Sequence, residues 1–320
     1  MKKKIINLIL PLILIFGIVY GFALERYQIF PYKYVESVYT GLPIEGDWSI
    51  GIYKGKTPFN LNENNISNPI LTKDDVTDVD AGFVADPFMI IEDSNYSLFF
   101  EVLNKKNNQG DIGYATSSDG KKWNYGKLII DEDFHLSYPY VFKWKGDYYM
   151  IPESYQDLSV RLYKATEFPA KWEYKGNLLS GYRYTDPSIF HYNDKWWMFV
   201  STQNSDVLNL YYSEELSKGW KPHPMNPIVK SDKHISRPGG RVIVDNGKIY
   251  RFTQDDAPRY GIRVFGFEIT ELTTTTYREK RVSDKPVVTK TGTGWNASGM
   301  HNYDLHKIDK KWIAVVDGRN

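Results

Sequence analysis

The chain has no cysteine. That excludes a disulfide framework, a thiolate metal site and a cysteine nucleophile together. Charge of either sign is not in excess, since 40 basic residues stand against 39 acidic ones for a formal +1. Nucleic acid is therefore not an expected partner, because its electrostatic footprint is missing. Six histidines occur without paired ligand spacing, so no zinc or other metal site is expected, and no cofactor. After residue 30 no stretch sustains a helical period, and Gly, Pro and Asn interrupt the chain about every ten residues. Long apolar runs are missing everywhere except at the N-terminus.

What is abundant is aromatic. Phe, Trp and Tyr make up 16% of the 320 residues, with 25 Tyr and 9 Trp, a composition suited to the half-buried pleated surface of strands. These strands recur in units. Asp86-Pro87, Tyr138-Pro139, Asp186-Pro187 and Arg237-Pro238 stand at the same place in four successive meanders, with the prolines 52, 48 and 51 residues apart. Trp123, Trp172 and Trp220 keep step at spacings of 49 and 48. A strand repeat near fifty residues reads as a propeller blade, and blades surround a central pocket formed by the starts of their innermost strands. A fifth, incomplete unit, Asn302 to Val316, is expected to be completed by the early strand Trp48 to Tyr53, which closes the ring and removes an open sheet edge. The fold class is all-β, a five-bladed β-propeller over residues 44–320. The three tryptophans read as blade packing.

At the N-terminus Lys2, Lys3 and Lys4 precede an apolar run from Ile5 to Ala23. As a helix it approaches the roughly 30 Å of a bilayer core, and the lysines favour a cytoplasmic N-terminus with the rest of the chain outside. Residues 1–23 are thus expected to be a single-pass membrane anchor, residues 24–43 a connector. The alternative is a secreted protein cleaved after Ala23, where Gly21 and Ala23 offer small residues.

Several motifs resemble one family. Val84-Ala-Asp-Pro-Phe88, Gln109-Gly-Asp-Ile-Gly113, His135-Leu-Ser-Tyr-Pro139, Ile151-Pro-Glu153 and Trp312-Ile-Ala-Val-Val-Asp-Gly318 are similar to the N-terminal domain of plant glucosamine inositolphosphorylceramide transferases and its free-standing bacterial relatives. That domain in turn resembles the five-bladed propellers of glycoside hydrolase family forty-three and the invertase-type enzymes. In the plant proteins a glycosyltransferase module follows, whereas here the sequence stops at Asn320, so the transfer chemistry is left open between the propeller and that module.

Glycosyl transfer needs one carboxyl group to protonate the leaving oxygen and another to activate water or attack directly. The family-forty-three pattern implies a first-blade aspartate as general base, a third-blade aspartate that tunes and orients, and a glutamate as acid. Asp86 and Asp186 match the first two. Blade four begins Ser236-Arg-Pro-Gly-Gly-Arg241 and offers no glutamate, so Glu153 is the expected acid: it follows an apolar strand that could desolvate it, and Pro152 stiffens its approach. Glu101, His135, Arg237, Arg241, Asp255 and His301 are candidate substrate-binding residues. Each has a plainer reading. Asp86 and Asp186 suit strand-start turns, Glu153 suits a rim, the arginines suit ion pairs with the acids they face, and the histidines suit structural hydrogen bonds.

Three functions remain open. One is a membrane-anchored enzyme outside the cytoplasm, a glycoside hydrolase or glycosyltransferase. Another is a non-catalytic propeller that binds a glycan or glycolipid headgroup and serves a separate glycosyltransferase. The third is a scaffold for protein partners that uses its rim.

Overall fold

Alternation of apolar and polar residues, punctuated by tight turns, dictates strands in hydrogen-bonded sequence, and the computed structural model of the protein arranges them as five antiparallel sheets. It describes residues 17, 19–21, 47–63, 66–202 and 204–320. Asp47–Asn320 forms one compact unit. Blade one comprises Ala81–Glu92, Asn95–Asn104, Gln109–Ser117 and Asn124–Ile130; blade two comprises Ser137–Trp144, Asp147–Ser154, Ser159–Glu167 and Lys171–Ser180. In blade three Tyr184–Tyr192, Lys195–Thr202 and Val207–Ser213 are followed by the short outer pieces Lys221–Pro222 and Val229–Lys230. The inner strand of blade four is broken into Arg237–Pro238 and Ile243–Asp245, both paired with Lys248–Asp255.

Blade five is made from both ends of the domain. Tyr303–Ile308 and Lys311–Arg319 supply its inner strands, and Trp48–Thr57 and Asn60–Asn62 its outer ones, paired from Trp48↔Arg319 to Gly55↔Trp312. The ring closes as expected. The Ile5–Ala23 run, its cleavage position and the connector 24–43 lie outside the described residues, apart from Gly17, Val19, Tyr20 and Gly21, which are helical. No described helix is long and apolar enough to cross a membrane.

Adjacent blades adhere through apolar faces. Phe88, Tyr138, Tyr140, Met150, Ile189 and Met198 share one buried cluster across blades one to three, while Ile50, Ile313, Val84 and Phe100 join blade five to blade one. Trp172 of blade two meets Phe99 of blade one edge to face at 5.6 Å and donates its indole hydrogen to Pro169 O at 2.8 Å. Trp220 does the same to Leu216 O, and Trp123 packs against the cluster between blades five and one. Regular tryptophans are thus structural, as their phase implied.

The inner strands of blades one, two and three share one irregularity. Asp86, Tyr138 and Asp186 have φ of 52°, 46° and 49°, and the register with the next strand slips at each of them. A left-handed residue ahead of a proline is a bulge that re-aims its side chain. In blade two this puts the Tyr138 ring across the ring's centre, where Oη lies 2.9 Å from Ser188 Oγ, donates to Gly240 O at 3.1 Å and accepts from Gly240 N at 2.7 Å. Tyr138 is fully buried and floors the central channel. Blade four follows a different rule: Gly240 has φ +132°, and a Cβ there would fall 2.1 Å from Tyr303 O, so only glycine permits the inner edges of blades four and five to meet.

Arg241 of blade four reaches across this floor. Its Nε donates to Asp304 Oδ1 at 2.6 Å, its guanidinium lies 5.0 Å over Tyr140, and Asp304 Oδ2 accepts Met89 N at 2.7 Å and faces His306 Nε2 at the same distance. Desolvation raises the pKa of buried Asp304, but Arg241 first and His306 second prevail and hold it below the usual carboxylate range. Removing one partner of a buried pair leaves a charge uncompensated, which costs about 3–5 kcal/mol. Arg241→Ala should lower unfolding free energy by about that amount in urea titrations, reduced where His306 takes over the pairing.

Candidate active site

The bulges aim Asp86 and Asp186 at the same end of the ring. Asp86 Oδ2 accepts the Tyr138 amide at 3.2 Å, so the first-blade acid is held by the second-blade bulge. Its own amide donates to Asp317 Oδ2 at 3.1 Å. Asp186 Oδ2 receives Arg237 Nε and Gln254 Nε2, each at 2.6 Å. The Asp186 amide donates to Glu153 Oε2 at 3.0 Å, and Arg237 Nη2 reaches that same oxygen at 3.3 Å. Arg237 therefore clamps the acids of two blades.

A second ring of residues stands one strand outward. Glu101 pairs with Ala85 and Glu153 with Ser137, so the two glutamates hold equivalent places in blades one and two. Asp317, near the end of the closing strand, is their counterpart in blade five. Its Oδ1 accepts the amides of His301 and Asn302 at 2.9 Å, and its Oδ2 lies 2.6 Å from His301 Nδ1, off the line of a good hydrogen bond. His301 Nε2 faces Asp86 Oδ1 at 3.6 Å, and the ring stacks on Trp48 at 4.0 Å.

Asp86, Glu101, Glu153, Asp186 and Asp317 are all buried. The solvent-facing groups around them are Tyr260, 38% exposed, and the side chains of His135 and Arg237 at 23% and 13%. Arg237 lies 5.1 Å below the Tyr260 ring.

Crowding acids in a desolvated place favours protonation. Burial, then Asp186, Glu101 and Asp317, pushes Asp86 well above the carboxylate range. Burial and Asp186 push Glu153 the same way against Arg237. Glu101 is raised to about 8, by burial first and Asp186 second. Asp317 goes the other way, since His301 and the backbone amides outweigh its burial. His135 is lowered to about 4 by burial and Arg237; its Nδ1 accepts the Gly110 amide at 2.9 Å, so the neutral ring carries hydrogen on Nε2, 3.4 Å from Glu101 Oε1.

Of the residues singled out in the sequence, Asp86, Glu101, His135, Glu153, Asp186, Arg237 and His301 come together. Two do not. Arg241 is committed to Asp304 on the channel floor, and Asp255 gives its oxygens to His234 Nδ1, Ala257 N and Arg263 Nε at 2.8, 3.1 and 2.8 Å. The neighbouring Asp256 is the one that feels Arg237: the strand ends at Asp255, and the turn that follows redirects the next side chain. Asp317, Gln254 and Tyr260 were not anticipated. Asp317 was findable, because it lies near the end of its blade's second strand, as Glu101 and Glu153 do in theirs; Tyr260 sits in a loop outside the repeat and carried no signal.

Among the described residues Asp86, His301 and Asp317 form a set whose ligand atoms lie within 4.8 Å of one another. His301 Nδ1 faces Asp317 and His301 Nε2 faces Asp86.

Residues 43–319 match the family described as glucosamine inositolphosphorylceramide transferase 1, N-terminal. The chain belongs to that family. It is 36% identical over 299 residues to glucosamine inositolphosphorylceramide transferase 1 of Oryza sativa subsp. japonica, covering 86% of this chain and 40% of the rice protein. The Arabidopsis thaliana protein of that name is 33% identical over the same length, covering 86% and 39%. The chain thus spans about 40% of the length of these relatives. The catalytic domain of Coprinopsis cinerea GH62 α-L-arabinofuranosidase superposes with a TM-score of 0.55 at 12% identity, covering 87% of this chain and 98% of that one, a likeness of fold. This family member is all-β and five-bladed, as the repeat implied.

The shifted groups set a pH signature. Glu101 in the fold keeps a proton that the unfolded chain has lost, so stability falls as pH rises toward 8; His135 in the fold refuses a proton that the unfolded chain accepts, so stability rises between pH 4 and 6.5. Above pH 6.5 only the Glu101 contribution of this pair remains, worth about 1.4 kcal/mol per pH unit, or about 2 kcal/mol up to pH 8. Denaturation of Glu101→Gln at pH 6.5 and 8 should show the wild-type loss reduced by that amount.

Proposed function

We propose that this propeller acts on a glycosidic bond in the pocket at the blade starts, hydrolysing it or passing the glycosyl unit to an alcohol. The observation that carries this reading is the convergence of Asp86 and Asp186, a hundred residues apart, with two glutamates in one buried cluster beneath an exposed tyrosine. In the reactive protonation state of this cluster a neighbouring glutamate holds the proton and Asp86 is ionised, so that Asp86 is the general base that draws the proton from the incoming oxygen. Asp186 orients and tunes through Arg237, and a glutamate of the outer ring supplies the proton to the leaving oxygen. The substrate is a glycan or a glycolipid headgroup, a class supported by the name of the plant relatives. The domain works outside the cytoplasm, held at a membrane through residues 5–23, and a separate glycosyltransferase is a fitting partner.

A second reading rests on Arg237. At the fourth-blade start, where the hydrolase pattern places its acid, this chain has a cation that binds Asp186 and Glu153 together. A pocket so neutralised suits glycan binding without turnover, in service of another enzyme.

Asp86→Asn decides between them. With a panel of furanosyl, pyranosyl and inositol-bearing glycans, catalysis predicts that the variant folds and binds but loses product formation by about 10²-fold or more. Binding by the wild type with no product from any glycan would establish the second reading.

A further inference from the structure

Two glutamates occupy equivalent places beside the central acids, and their surroundings differ in a way that assigns them different work. Glu153 Oε2 accepts both the Asp186 amide and Arg237 Nη2. A guanidinium beside a carboxyl stabilises its ionised form and fixes its orientation, which suits a group that holds Asp186 and Arg237 in place. Protonation alone does not separate the two glutamates, since burial pushes both upward. Orientation does.

Glu101 Oε1 lies 3.4 Å from His135 Nε2, and His135 is the more exposed of the two. Because His135 Nδ1 accepts the Gly110 amide, its Nε2 hydrogen faces Glu101 Oε1, and the carboxyl's own proton is left on Oε2. The contact is built closely. A Cβ on Gly110 would fall 2.3 Å from Leu136 O and 2.7 Å from Glu101 Oε1, so the backbone packing that brings this pair together requires glycine at 110. Glu101 also stands next to the proposed base, since its strand partner Ala85 immediately precedes Asp86. An acid that titrates near the working pH transfers its proton most effectively, and Glu101, at about 8, meets that condition.

We infer that Glu101, rather than Glu153, protonates the departing oxygen, with His135 and Gly110 positioning it; this rests on the glycosidic reading above. In the step, the bond between the anomeric carbon and the leaving oxygen breaks, its electron pair stays on that oxygen, and the oxygen takes the Glu101 proton. Water or an alcohol bonds to the anomeric carbon and gives its proton to Asp86. Solvent then takes that proton from Asp86 and returns one to Glu101, which restores both groups.

A leaving-group comparison tests the assignment on the full chain, with methyl glycosides and 2,4-dinitrophenyl glycosides of the same sugars as probes. Dinitrophenolate departs without a proton, whereas methoxide needs one. Glu101→Gln should therefore lose about 10²- to 10⁴-fold in kcat on methyl glycosides, stay within about tenfold on the dinitrophenyl series, and lose the basic limb of its pH–rate profile. Glu153→Gln should slow both substrates alike. If Glu153→Gln shows the selective loss, or Glu101→Gln retains wild-type rates on methyl glycosides, the Glu101 assignment is overturned while the glycosidic reading stands. If neither probe turns over with any sugar in the wild type, the glycosidic reading itself falls and takes the assignment with it.

Discussion

A residue with φ near +50° ahead of a proline interrupts the inner strand of blades one, two and three, and the site depends on that interruption. A regular strand would alternate its side chains between the two faces of the blade, into the cores between neighbours. The bulge lets one residue per blade leave that alternation and face the axis. Tyr138 uses the freedom to floor the channel, and Asp86 and Asp186 use it to approach each other above. Left-handed conformations of non-glycine residues cost about 1–3 kcal/mol each, and here the proline, the paired second strand and the interblade hydrogen bonds over-determine them.

The acids so gathered are in surplus over the cations that touch them. Arg237 is the cation that holds Asp186 and Glu153, while the His301 ring lies between Asp86 and Asp317. Glu101 has only a neutral imidazole beside it among the described ion pairs. Desolvation makes a full set of charges untenable in such a place, so the cluster retains protons at neutral pH. It thereby becomes a store of acid and base in one pocket, which is the raw requirement of acid–base chemistry.

Much of this was legible in the residues. The spacing of Pro87, Pro139 and Pro187 marked the blade starts, but the bulges themselves were hidden, because a residue ahead of proline ordinarily takes extended backbone. Trp48 read as a closing strand because an unpaired edge demands one. What stayed hidden depended on angles the repeat does not encode. Whether Asp255 or Asp256 turns inward is decided by where a strand ends, and whether Arg237 meets a ligand or its own neighbours is decided by the length of its side chain against the width of the ring. Asp317 was missed although it obeys the repeat, because its blade is split between the two ends of the sequence and the eye loses the phase.

That split has a mechanical side. Trp48 and Arg319 are the first rung of the seam, and the same Trp48 is the surface on which His301 rests, with the Arg319 guanidinium 4.7 Å over the Trp48 ring. The two strands run antiparallel, and Trp48 and Arg319 lie at the same end of the ladder, so tension between residue 47 and residue 320 would open the seam like a zip, one pair at a time, rather than shear all its bonds together. The first tooth to part is the one that supports the histidine, so a pull too weak to unfold the blades would already take away the ring on which His301 stacks beside Asp86 and Asp317.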